Sequence, residues 1–120
     1  MKILVVDDSK AMRMIVVRTL RQAGFAGHDV VEAENGKEGL ELTQSVKPDL
    51  VLSDWNMPEM SGIEFLRAMR GSGDATPFCF VTSEGSEEMR AQAAQAGAVG
   101  LIAKPFTAEA FADTLASVVS

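Results

Sequence analysis

Asp7 and Asp8 stand side by side, and Asp54, Thr82 and Lys104 follow far down the chain; together they could handle a phosphoryl group. Carboxylates are hard oxygen donors, and with retained waters they suit Mg²⁺. If the three acids share one crevice they repel. Two unit charges ~4 Å apart cost about 4 kcal/mol at an effective dielectric of 20. Either one carboxyl then takes a proton or a cation sits among them. Lys104 is the only basic residue after Arg90. A lone ammonium facing such a cluster is suited to an anion that also contacts the metal, and a phosphoryl group is such an anion. Its transfer needs little beyond in-line positioning and charge neutralisation, and a carboxylate can be the nucleophile, giving an aspartyl phosphate. Each residue alone has a plainer interpretation: Asp7–Asp8 as a solvated turn, Asp54 as a turn residue, Thr82 as a helix-entry cap, Lys104 as a surface lysine with a buried stem.

What joins them is their place relative to the predicted elements. Short β-branched runs alternate with helical periodicity. Ile3–Val6 is a strand that ends at Asp7–Asp8. Met12, Ile15, Val16, Thr19, Leu20 and Ala23 then recur at spacings of three and four, one face of a helix closed by Gly24. Val30–Ala33 is the second strand, and Asn35 with Glu38 opens a helix. Leu50–Ser53 is the third strand and ends at Asp54; Ser61 with Glu64 caps the next helix, which Ile63, Leu66 and Met69 carry to Gly71. Phe78–Val81 is the fourth strand, ending at Thr82–Ser83, and Ser86 opens a helix whose first turn holds Glu87 and Glu88, as the helix dipole favours. Val99–Ala103 is the fifth strand, ending at Lys104–Pro105; Thr107 caps a last helix with Phe111, Leu115 and Val118 facing inward. Repeated βα units predict a parallel sheet covered on both faces. In such sheets ligands bind beyond the carboxyl ends of the strands, where all the candidate residues fall.

The 120 residues suffice for one domain with its own core. A formal charge of −6, from 17 acidic and 11 basic residues, disfavours nucleic acid and anionic membrane surfaces. One cysteine excludes an internal disulfide. The longest stretch without a polar side chain, Ala96–Ala103, is too short to span a bilayer, and the apolar run at the N-terminus is too short for a signal peptide. The expectation is a soluble, cytoplasmic, single-domain protein.

Four segments carry a resemblance: Val5-Val6-Asp7-Asp8-Ser9, Asp54-Trp55-Asn56-Met57-Pro58, Val81-Thr82-Ser83-Glu84 and Lys104-Pro105-Phe106-Thr107. In this order they resemble response-regulator receiver domains, especially the single-domain chemotaxis kind. The resemblance covers nearly the whole chain and implies one receiver domain over residues 1–120. It implies an α/β, flavodoxin-like, doubly wound five-stranded parallel sheet of order 2-1-3-4-5 with five helices. It implies Asp54 as phosphoacceptor, taking a phosphoryl group from a sensor histidine kinase or a histidine phosphotransfer protein. Mg²⁺ would be held by Asp8, Asp54 and the backbone carbonyl of Asn56, with Asp7 acting through water. Lys104 would contact the phosphoryl oxygens and Thr82 would hydrogen-bond the phosphoryl group. Asn56 and Glu84 would tune hydrolysis of the phosphoaspartate, and the Lys104–Pro105 bond would be cis. Output would run in trans to an unknown protein. Such a domain promotes only its own phosphorylation and dephosphorylation and is not an enzyme in the ordinary sense.

Two features depart from that pattern. Leu101 stands where the family carries its switch aromatic, and leucine has no polar tip, so coupling to Thr82 would run through apolar repacking. Glu87 and Glu88 stand where chemotaxis members often carry lysines, which implies a partner other than a flagellar motor switch. Met14 and Val17 lie off the core face of the first helix, either as scattered surface apolarity or as a docking patch for the kinase's helical domain. Trp55 is either a half-exposed loop aromatic or a fluorescent reporter of the site. His28 is expected at the surface and Cys79 buried and inert. Three other function classes stay open. A Mg²⁺-dependent aspartyl-phosphate phosphohydrolase would carry Asp-x-Asp after the first strand, where these aspartates are adjacent. A flavodoxin-like electron carrier would need a Ser/Thr-rich phosphate loop. A receiver-like interaction module would never be phosphorylated.

Overall fold

A computed structural model describes residues 1–120 except Ala26, Glu84, Lys104, Pro105, Ser117, Val119 and Ser120. The elements run β1 (Lys2–Val6), α1 (Lys10–Leu20), β2 (Asp29–Ala33), α2 (Gly36–Ser45), β3 (Leu50–Ser53), α3 (Gly62–Gly71), β4 (Phe78–Thr82), α4 (Glu87–Gln95), β5 (Gly100–Ala103) and α5 (Ala108–Leu115). All strand pairs are parallel, in the order β2-β1-β3-β4-β5. The α/β architecture and strand order expected from the resemblance are therefore present.

Successive strand residues point to opposite faces, and the core divides accordingly. Leu4, Val6, Val51, Phe78, Phe80 and Leu101 pack with Ile63, Phe65, Leu66 and Met69 of α3 and Ala93 of α4. Ile3, Val5, Leu50, Leu52, Cys79, Val81 and Ile102 pack with Val16 and Leu20 of α1 and Phe111 and Leu115 of α5. Both faces of the sheet are covered, which is why its central strands are apolar without alternation. Phe78 meets Phe65 and Phe80 edge-on, with ring centroids 5.3 and 5.0 Å apart, a favourable geometry for aromatic pairs.

Each helix start is fixed by a side-chain oxygen accepting an amide N–H three residues on: Ser9 from Met12, Asn35 from Glu38, Ser61 from Glu64, Ser86 from Met89 and Thr107 from Ala110. At Ser61 the Glu64 carboxylate returns the bond to the Ser61 amide, completing a capping box.

The structure differs from the sequence expectation at several places. The regular part of α1 ends at Leu20 and a wider turn follows, but Gly24, at φ 101° in the left-handed region suited to glycine, still closes the helix where the sequence places its stop. The buried stripe of α1 is Arg13, Val16, Thr19 and Leu20, while Ile15 is 42% exposed. The helix is rotated because Arg13 turns inward to bond the end of β1. β5 begins at Gly100, leaving Val99 exposed. α5 ends at Leu115, yet Val118 still packs against the core beyond it. Among the described residues no helix is long and apolar enough to cross a membrane.

Candidate functional site

β1 and β3 are neighbours, with Val6 opposite Ser53, so both chains deliver their next residue to the same point beyond the sheet. The Asp54 amide donates to the Val6 carbonyl at 2.9 Å, which extends that pairing past the strand. Carboxylate oxygens of Asp7, Asp8 and Asp54 consequently lie within 4.8 Å of one another. Asp7 is buried, Asp54 half-buried and Asp8 exposed, so the cluster opens to solvent on one side. At that spacing each ionised pair repels by about 3–4 kcal/mol at an effective dielectric of 20.

Buried Asp7 has its pKa raised from 3.8 to about 6. Burial is the main cause and the charges of Asp54 and Asp8 add to it, while the Ser9 amide, donating to Asp7 Oδ1 at 2.8 Å, opposes the shift. A cluster of hard oxygens, electrostatically strained and open on one side to water, fits a small divalent cation such as Mg²⁺.

The surrounding backbone holds these acids from several sides. The Asp7 amide donates to the Ala33 carbonyl at 3.1 Å. Its own carbonyl accepts from Arg13 Nη1 at 2.6 Å. Asp54 Oδ1 accepts from the Trp55 amide at 2.7 Å, and the Asp54 carbonyl accepts from Ser53 Oγ at 2.9 Å. The Trp55 ring packs on Phe80 at a centroid distance of 4.7 Å, so the residue after Asp54 is anchored to the core.

The remaining candidates fall as follows. Thr82 is the last residue of β4, buried, and paired with Ala103 at the end of β5. Leu101 is buried opposite Phe80, and its carbonyl accepts from Arg90 Nη1 at 3.0 Å. Asn56 is exposed in the loop after Asp54. Lys104, Pro105 and Glu84 lie outside the described residues. Met14 is 56% exposed on α1, and Val17 is partly buried. Cys79 is fully buried, and burial pushes its thiol up to about 12. His28, expected at the surface, is partly buried, with Nδ1 3.0 Å from the N-terminal amine.

A family model for the response regulator receiver domain matches residues 3–116, from the first strand to past the last helix. The chain belongs to the response regulator receiver family. This receiver is similar to the chemotaxis protein CheY of Pseudomonas aeruginosa, 42% identical over 111 residues, covering 91% of this chain and 88% of the relative. It is also similar to CheY-3 of Vibrio cholerae, 41% identical over 117 residues, covering 96% and 88%. Among solved structures, V. cholerae CheY4 superposes with a TM-score of 0.84 at 38% identity, over 98% of both chains. The receiver domain of a putative NarL from Mycobacterium tuberculosis gives 0.85 at 31% identity, over 97% and 93%.

Two residues that support the receiver's acidic cluster escape a sequence reading. Arg13 lies at spacings of three and seven before Val16 and Leu20, so a stripe drawn through those two would have included it; its charge argued against burial. Gly62 directly follows the Ser61 cap and looks like an ordinary first-turn residue, and only the approach of the Asp54 carbonyl shows why no side chain fits there.

Proposed function

We propose that this receiver serves a two-component, chemotaxis-like phosphorelay in the cytoplasm, with residues 1–120 acting as one unit. The observation that carries the proposal is the convergence of Asp7, Asp8 and Asp54 at the carboxyl end of β1 and β3, in a chain of this family. Asp54, half-buried beside two further acids, is the phosphoacceptor. One of its carboxylate oxygens attacks the phosphorus of a phosphohistidine on a sensor histidine kinase or phosphotransfer protein. The new O–P bond forms as the P–N bond breaks, and the released imidazole takes up a proton.

Asp8, Asp54 and the Asn56 carbonyl would ligate Mg²⁺ directly, with Asp7 acting through water. When bound, the ion neutralises charge on the oxygens in transfer. Lys104 contacts the phosphoryl oxygens, and the Thr82 hydroxyl donates a hydrogen bond to the same group. Asn56 and Glu84 tune hydrolysis of the phosphoaspartate. The phosphoryl charge biases the packing of α4 against β5, with Leu101 repacking as an apolar element, and an output protein binds the altered face in trans. The chain catalyses only its own phosphorylation and dephosphorylation. Its net charge of −6 is consistent with a protein partner rather than nucleic acid or membrane.

The test is incubation with Mg²⁺ and acetyl phosphate, followed by intact mass. The native protein should gain a labile adduct of one phosphoryl group, and Asp54→Asn should gain none. Absence of the adduct from the native protein, or its persistence in Asp54→Asn, would overturn the assignment.

A further inference from the structure

Arg13 is a charged side chain turned into the protein interior, with a side-chain exposure of 9%. Its guanidinium joins two elements. Nη1 donates to the backbone carbonyl of Asp7 at 2.6 Å, and Nε donates to Glu32 Oε1 on β2 at 2.8 Å. Guanidinium donors are held in a rigid plane, so fixing Nε on Glu32 also fixes the direction from which Nη1 approaches Asp7. A lysine carries its donors on a single freely rotating atom and cannot reproduce that fixed planar fork.

The accepting carbonyl sits at a sensitive point. The ladders from β1 to β2 and β3 run no further than Val6, so the carbonyl of buried Asp7 lies beyond regular sheet pairing and takes its bond from Arg13. The Asp7–Asp8 peptide is planar, so an anchored carbonyl sets the direction of the Asp8 amide and the departure of the chain into Asp8. From the other side, Asp7 Oδ1 is held by the Ser9 amide. The turn that presents two acids to Asp54 is thus gripped at its backbone by Arg13, while the three carboxylates push one another apart. Glu32 orients the guanidinium and balances its charge.

We infer that Arg13, oriented by Glu32, is a positioning residue that holds the Asp7–Asp8 turn in the geometry that captures the cation. This role rests on the phosphoacceptor function proposed above. It deepens that proposal by assigning part of the metal affinity to a residue that does not touch the metal. Groups that orient ligands from behind typically contribute 10–100-fold in affinity.

The experiment compares the native protein with Arg13→Met, Arg13→Lys and Glu32→Ala by Mg²⁺ titration, following amide NMR shifts of Asp8 and Ser9. Arg13→Met should bind Mg²⁺ at least about tenfold more weakly. Arg13→Lys should recover only part of the loss, and Glu32→Ala should show a smaller loss of the same kind. In the metal-free protein the Ser9 amide should exchange faster in every variant. Phosphorylation by acetyl phosphate should return to the native rate at saturating Mg²⁺, because the variants weaken capture and leave the acceptor intact. Native Mg²⁺ affinity and native Ser9 protection in folded variants would overturn the inference while leaving the phosphoacceptor function standing. Failure of the native protein to bind Mg²⁺ would overturn both. Should Arg13→Met fail to fold, Glu32→Ala, altered at a half-exposed side chain, decides alone.

Discussion

Gly62 lies against the carbonyl oxygen of Asp54 with no room for a side chain between them. Its amide donates to the Trp55 carbonyl at 2.7 Å, and a β-carbon there would overlap the Asp54 oxygen and come within 2.9 Å of Phe80 Cε1. The start of α3 is thereby seated directly on the loop that carries the proposed acceptor.

Gly62→Ala should therefore displace backbone rather than a flexible side chain. Overpacking of this kind costs about 1–3 kcal/mol. Urea unfolding should register that loss, and phosphorylation of Asp54 by acetyl phosphate should slow in parallel because the displaced atoms belong to Asp54 itself. Unfolding curves identical to those of the native protein would show that the loop yields freely.

Asp7 makes stability depend on pH with a definite sign. Its folded pKa, about 6, lies above its ordinary value of 3.8, so between these values the folded state holds a proton that the unfolded state has lost. Stability from this group is present below pH ~4 and is lost as pH rises to about 6. A shift of about two units corresponds to ~3 kcal/mol at most. In a metal chelator, Asp7→Asn should be more stable than the native protein at pH 7, and the difference should vanish near pH 4. Denaturant titrations across that range check it; a difference independent of pH would count against the assignment to Asp7. Excess Mg²⁺ should narrow the gap at pH 7, because an ion that binds the folded native site stabilises it by mass action.

The Ser61–Glu64 capping box sets the first turn of α3. The Ser61 amide and hydroxyl hold the Glu64 carboxyl below its ordinary pKa. Ser61→Ala should cost about 1 kcal/mol in urea unfolding. The Glu64 titration followed by carbon NMR should move upward, though only part of the way, since the backbone bond survives. An unmoved Glu64 titration would mean that the hydroxyl contributes nothing.

Cys79 should behave as a buried thiol without chemistry of its own. With its pKa pushed up to about 12 by burial, it holds almost no thiolate at neutral pH. An aromatic disulfide reagent should modify it only as fast as the protein unfolds, and at the ordinary thiol rate in denaturant. Rapid modification of the folded protein would contradict the burial.

Much of this receiver is legible from local sequence. The apolar runs that become β1 to β5, and the caps Asn35, Ser61, Ser86 and Thr107, involve residues only a few positions apart, so their physics is complete within a short window. The same window shows that Asp7, Asp8, Asp54 and Thr82 fall at strand ends. Convergence of the acids is a different matter: it needs β1 beside β3, a pairing across more than forty residues for which the sequence supplied a family resemblance and no local signal. The tertiary structure alone decided how α1 is turned about its axis, burying Arg13 and exposing Ile15, because that rotation answers to a carbonyl at the end of another element. It also decided the raised pKa of Asp7 and the need for glycine at position 62. Desolvation, charge proximity and steric contact are set by which distant atoms arrive alongside, and no property of the residue itself records that.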